Sequence, residues 1–339
     1  MIYVVAAGQI GRVAGHWASA VTMLAGSFLA GSSPEGGGAV AFPVFTKVLH
    51  VGAPAARSFG LCIQAVGMTV AAVAVLINRR AVHKRACLLG GAASIVGFVV
   101  SAAWFTDFQA PYAPSLIGVG WVKATFSIVL ATTSVLMVRH LRHGDEDHQP
   151  IEWNRRLDIG LVIVAFFGGA LASVTGTGAN IMVFLFLVVL ADVSPRTALA
   201  TAVLVMAAVS VIGFGLFAVW DHQLSVEMVG DRVVAVGGDA ADLSAERGDL
   251  LGLWLAAVPI VVWGAPLGSL AAAVVKERVL VGFVAVLAGT EVITTFVLVE
   301  QLRTDRALLS FLVVGLALVP TMFLMARTYR YRLFRSTPV

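Results

Sequence analysis

Apolar residues run along this chain in continuous blocks, at roughly 13–31, 37–49, 55–77, 86–106, 115–138, 158–174, 178–190, 196–219, 251–274, 279–299 and 307–326. Runs of this kind predict membrane-spanning helices, since ~20 helical residues cross a hydrocarbon layer ~30 Å thick. They do not alternate, as the strands of a membrane barrel would. Two blocks are too short to span. Each of 37–49 and 178–190 holds thirteen residues, about 20 Å as helix, which favours the arm of a re-entrant hairpin over a full crossing. Each also follows a break of small residues, Gly31-Ser32-Ser33-Pro34-Glu35-Gly36-Gly37-Gly38 and Ser173-Val174-Thr175-Gly176-Thr177-Gly178.

The breaks belong to an internal repeat. A shift of 141 residues without gaps pairs Ser32 with Ser173, Gly37 with Gly178, Leu49 with Leu190 and Pro54 with Pro195. It preserves the order of apolar helix, glycine break, short helix, proline turn and long helix. The predicted division is a first repeat over 1–138, a polar cytoplasmic linker over 139–157, a second repeat with an extra C-terminal helix over 158–326, and a basic tail over 327–339.

Composition agrees with the pattern. Of 339 residues 59% are hydrophobic and only 12% charged, about half the charge of a soluble protein, and mean hydropathy is +0.93. A soluble enzyme, a DNA-binding module and a disulfide-stapled secreted domain are thereby excluded. The net charge of +4 sits between apolar runs, where it orients helices and implies no nucleic-acid partner. Cys62 and Cys87 lack metal-type spacing and read as packing residues. Met1–Gly11 has no basic segment before an apolar core, so no cleaved signal peptide is expected.

The cations fall into clusters at Arg79, Arg80, Lys84 and Arg85, at Arg139, Arg142, Arg155 and Arg156, at Lys276 and Arg278, and at Arg327, Arg330, Arg332 and Arg335. All lie on one side if the long runs each cross once. The other side receives Thr106–Pro114, which has no cation, and Trp220–Asp249, with seven acids and two cations. The positive-inside rule then places the clusters and the C-terminus in the cytoplasm and the N-terminus outside. The two copies run in opposite directions. The predicted fold is an all-α polytopic membrane protein of two inverted-topology repeats, with about seven full crossings plus two hairpins, in the cell inner membrane.

Unwound backbone within a bilayer is tolerated only inside protein or along a polar cavity, and paired breaks in inverted repeats mark the midplane substrate sites of secondary transporters. Glycine clusters before short helices offer backbone N–H groups to an anion. The candidate substrate-binding residues are therefore Ser32, Ser33, Gly36, Gly37, Gly38, Thr175, Gly176, Thr177, Gly178 and Asn180. The competing reading is that the small residues only let helices cross closely. Neither break carries the Gly-Lys-Ser/Thr of a phosphate loop. The polar stretch His140, His143, Asp145, Glu146, Asp147 and His148 reads as a solvated linker, not a metal site. No cofactor or metal is called for.

The break Glu35-Gly36-Gly37-Gly38 through Pro43 resembles the signature of sulfite exporters of the TauE/SafE type. Gly176-Thr177-Gly178, leading to Ser194-Pro195-Arg196 and Ala200-Thr201, is similar to that family's second repeat. The resemblance implies outward movement of sulfite, organosulfonates such as sulfoacetate, or related sulfur or carboxylate anions. Glu35 adds a carboxylate to the first break, and Asn180, Phe184 and Ala202 depart from the family's second-repeat pattern.

The leading expectation is thus a non-enzymatic secondary exporter of small anions, with the bilayer as its other partner and a homo-oligomer left open. The alternatives are an importer or a carboxylate carrier on the same scaffold, an intramembrane enzyme, and a non-transporting scaffold. Of the histidines only His16 lies well inside an apolar run, with no partner motif for catalysis. At roughly 100–150 mV, moving one negative charge outward gains about 2.3–3.5 kcal/mol, so export needs no ATP. Glu35 and Glu291 are candidates for proton coupling or a charge pair. Lys123, at the depth of Glu291 on the comparable helix of the other half, is a further candidate substrate residue, or the partner of Glu291 in an ion pair.

Overall fold

A computed structural model of the protein describes residues 10–49, 51, 53–105, 119–143, 153–216, 226–229, 232–235, 250–299 and 301–334. The loop Thr106–Pro114, the linker residues Asp145, Glu146, Asp147 and His148, most of the acidic loop and Arg335 lie outside them. The body is helical: α1 (Trp17–Ser32), α2 (Gly38–Pro43), α3 (Ala53–Ile77), α4 (Lys84–Phe105), α5 (Val119–His143), α6 (Arg155–Thr175), α7 (Ala179–Leu185), α8 (Pro195–Phe214), α9 (Leu250–Val274), α10 (Glu277–Leu298) and α11 (Arg306–Phe334). Short helical turns precede α1 and α11. Val226–Val229 pairs antiparallel with Arg232–Ala235, a small ribbon in the acidic loop that the apolar pattern did not announce.

Among the described residues seven helices, α3, α4, α5, α6, α8, α9 and α11, are long and apolar enough to cross a membrane. Large apolar side chains such as Leu24, Leu88, Trp104, Trp263 and Val274 face outward. A water-soluble protein does not show apolar surface on that scale. This is a multi-pass membrane protein.

Both undersized helices are hairpin arms. A methyl group added to Gly37 would lie 3.0 Å from the Gly26 carbonyl oxygen and 3.6 Å from Ala30 Cβ, so α2 runs back along α1. In the second half the same test on Gly168 meets Met182 Cβ at 2.9 Å and Ala179 Cα at 3.2 Å, so α7 folds back along α6.

The arms end alike too. α2 passes into a π-helical turn at Val44–Val48, and α7 into one at Phe186–Leu190. The closing bonds correspond: Val51 N–H donates to Phe45 C=O and Val193 N–H to Leu187 C=O, both at 2.8 Å. Pro43 precedes the first turn, but Phe184 stands near the corresponding place in the second, so proline is not the cause of the π turn.

The halves interlock. α1 packs against α9, and α6 against α4, each pair running parallel. Glycines bring the backbones together: a Cβ on Gly31 would lie 2.0 Å from the Ala265 carbonyl oxygen and one on Gly268 2.0 Å from that of Phe28. The other pair repeats this, with Gly169 against Ser94 and Gly97 against Phe166 at 1.8 and 1.9 Å. α3 packs on α8 and α5 on α10. Exchanging the helices of one half for their counterparts leaves this pattern of neighbours unchanged.

Candidate functional site

The two breaks meet. α6 ends on Gly176 at φ +82°, and the first break turns at Gly36 with φ +71°. Both values lie in the left-handed region that glycine enters without a Cβ penalty. Space forbids a side chain as well, since a Cβ on Gly176 would approach the Arg57 carbonyl oxygen at 2.8 Å and one on Gly36 would meet Met68 at 2.8 Å and Asn180 Nδ2 at 3.0 Å. Thr177 Oγ1 crosses between the tips and donates to the Glu35 carbonyl oxygen at 3.2 Å. A Cβ on Gly38 would touch Thr177 at 3.1 Å. Gln64 of α3 closes the junction by donating from Nε2 to the Gly176 carbonyl at 2.8 Å.

Most of the candidate hydroxyls are already engaged. Ser32 donates to the Phe28 carbonyl at 2.8 Å, Ser33 to Leu29 at 3.1 Å and Thr175 to Leu171 at 3.0 Å. Ser173 bonds Ser101 at 2.7 Å and helps hold α6 to α4. These serines and threonines shape the ends of their helices more than they face a ligand. Asn180 is placed differently. Its Oδ1 accepts from Gly178 N–H at 3.3 Å while Nδ2 is left without a partner. Gln64 Oε1 and both carboxylate oxygens of Glu35 are likewise buried and unpartnered. Buried polar atoms are nearly always hydrogen-bonded, so orphaned atoms on three residues single this junction out as the candidate ligand site among the described residues.

Lys123 and Glu291 lie apart from the tips, toward the far end of the Gly38–Val48 segment, ~16 Å long as helix. There the expected pairing is corrected. Glu291 Oε1 binds Lys47 Nζ at 2.7 Å, with both side chains at most 3% exposed. Lys47 also donates to Thr294 and Thr295 hydroxyls at 2.9 Å each, and Ser127 donates to Glu291 Oε1 at 3.2 Å. Lys123, half-buried one turn before Ser127, stands beside this network without bonding to Glu291. The π turn that ends α2 carries Lys47 into place, and the second half has only apolar residues there. Lys47 and Gln64 were the residues the sequence reading passed over, although each is a polar residue inside an apolar run.

A family model for the sulfite exporter TauE/SafE matches residues 18–291. The chain belongs to the TauE/SafE family. Both hairpins, their junction and Glu291 lie within the matched span of this TauE/SafE protein. No curated protein and no solved structure matches it. Membership makes it a membrane transporter of the sulfite exporter family.

Proposed function

We propose that this TauE/SafE protein exports small sulfur-containing anions, sulfite or organosulfonates such as sulfoacetate, through a site at the junction of the two hairpin tips. One observation carries the reading: two glycine breaks 141 residues apart converge on the orphaned polar atoms of Glu35, Gln64 and Asn180. Asn180 Nδ2 is a ready donor to an anion's oxygen. The shared hairpin geometry and the exchangeable helix neighbours support a pair of inverted repeats. In such a pair each tip reaches the midplane from its own side of the membrane.

An anion beside Glu35 is tolerated when that carboxyl carries a proton, because two unpaired negative charges in a dry site repel. Glu35 is thereby the coupling group of the proposal. The test is counterflow of labelled sulfoacetate in proteoliposomes. Wild type should accumulate label against unlabelled anion, and Asn180→Ala should lose about tenfold in affinity, the worth of a hydrogen bond to a charged ligand. Glu35→Gln should still transport but lose its response to an imposed proton gradient. Absence of counterflow with sulfoacetate, sulfite and small carboxylates alike would remove the reading.

A further inference from the structure

A cleft enters the protein from the end that carries the basic clusters. Its walls include Met137 near the end of α5, Phe184 of α7 and Val275 just after α9. At its mouth stands Arg196, exposed on the first turn of α8, and at its inner end lie Ser32 and Ser33 of the first hairpin tip. A second cation is close by. Arg80, in the turn between α3 and α4, donates to the Ser269 carbonyl at 2.8 Å. Burial, with the charge of neighbouring Arg196, draws its guanidinium below the usual range. Arg196 alone of the two lines the cleft, and an anion bound at its guanidinium would offset the like charge of Arg80 behind it.

We propose that this cleft is the cytoplasmic loading site of the transporter. Arg196 captures the charged head of an organic anion there, and the apolar walls select a ligand with a short hydrocarbon body over a bare inorganic oxyanion. The assignment rests on the transport reading above and adds to it a substrate class and an entry residue. An inorganic oxyanion would lose hydration along Met137, Phe184 and Val275 without gaining contacts. An alkylsulfonate buries its chain on those walls while its head keeps the arginine. The ligand then passes the first tip at Ser32 and Ser33, which line the inner end of the cleft, on its way to the Glu35–Asn180 junction.

Arg196 is exposed, so its replacement leaves the fold intact, which gel filtration verifies. In proteoliposomes of known orientation, Arg196→Gln should raise the KM for butane-1-sulfonate offered at the cytoplasmic face about tenfold, the loss of one charge-assisted hydrogen bond. The KM at the opposite face should stay within about twofold, and Arg196→Lys should recover most of the loss. In detergent, butane-1-sulfonate should raise the melting temperature of wild type more than inorganic sulfite does, and Arg196→Gln should abolish that preference. The proposal is overturned if Arg196→Gln leaves the cytoplasmic KM unchanged, raises both KM values equally, or melts like wild type with butane-1-sulfonate. It is also overturned if sulfite stabilises wild type as well as the sulfonate. Failure is separable from that of the transport reading. Arg196-dependent stabilisation without counterflow retains the cleft and removes transport. Counterflow that ignores Arg196 does the reverse.

Discussion

Lys47 and Glu291 form an ion pair inside the membrane-spanning body, Nζ to Oε1 at 2.7 Å, and it joins the end of the first hairpin to α10. Removing one partner leaves the other charge buried and uncompensated, which costs about 3–5 kcal/mol. Lys47→Met and Glu291→Gln should each lower stability by about that much in chemical unfolding of the detergent-purified protein. The double variant should recover most of the loss. Lys123→Met should change stability by less than about 1 kcal/mol, since Lys123 is not the partner. A destabilisation by Lys123→Met equal to that of Lys47→Met would reverse the assignment.

Gly176 combines a left-handed backbone with a carbonyl 2.8 Å from where a Cβ would sit. Gly176→Ala should therefore destabilise by about 1–3 kcal/mol and reduce transport, because the second tip must move off Arg57. Gly91, in mid-α4 with open space around it, is the control. Gly91→Ala should be neutral or stabilise by up to about 1 kcal/mol. Thermal unfolding of the two variants side by side tests this, and equal effects would show that the tip tolerates a side chain.

His83 stands at the start of α4, where its Nδ1 accepts from Ala86 N–H at 3.1 Å and its ring stacks on Trp153 with centroids 4.0 Å apart. Burial lowers its pKa from 6.5; nearby Arg85 also lowers it, while Asp158 and its backbone hydrogen bond oppose the shift. The folded state thus favours neutral imidazole. Its contribution to stability is complete above the unfolded pKa and is lost as pH falls below about 6.5 through the folded value. Melting temperature should drop between pH 7.5 and pH 5.5, and His83→Gln should flatten that part of the profile. An unchanged slope in the variant would show that other groups carry the acid sensitivity.

Orientation is tested by an impermeant thiol reagent on intact cells, in a background without Cys62 and Cys87. Cysteines placed in Gly237–Glu246 should be labelled and a cysteine at Gln149 spared. Labelling at Gln149 would invert the topology.

The hairpins were legible because a thirteen-residue apolar run after a glycine cluster has few other uses in a bilayer. Their convergence was legible only through the repeat, since nothing local in Thr177 or Glu35 announces a partner 142 residues away. The pairing of α1 with α9 was not legible. Gly31, Gly264 and Gly268 sit in apolar runs like many others, and which glycine faces which backbone is decided by tertiary packing. The Lys123–Glu291 pairing failed for a related reason. Depth along a helix can be counted from a sequence, but the facing direction cannot, and Lys47 in the short arm points where Lys123 does not. Gln64 was hidden because a lone amide in a span gives no sign of whether it faces lipid, a neighbour or a junction.

The parallel contacts of α1 with α9 also set a timetable. Ser19 donates to the Leu253 carbonyl, 234 residues further along the chain. At roughly 5–20 residues per second, that part of α9 leaves the ribosome about 10–50 s after Ser19. Throughout that interval the first hairpin stays in the bilayer with its glycine face unmatched, and the Ser27 side chain and Phe28 carbonyl, later covered by Gly264 and Gly268, face lipid or a chaperone. A nascent chain stopped before Leu250 therefore has no seat for its first hairpin, and the membrane insertion machinery must hold a half-built transporter until its other half arrives.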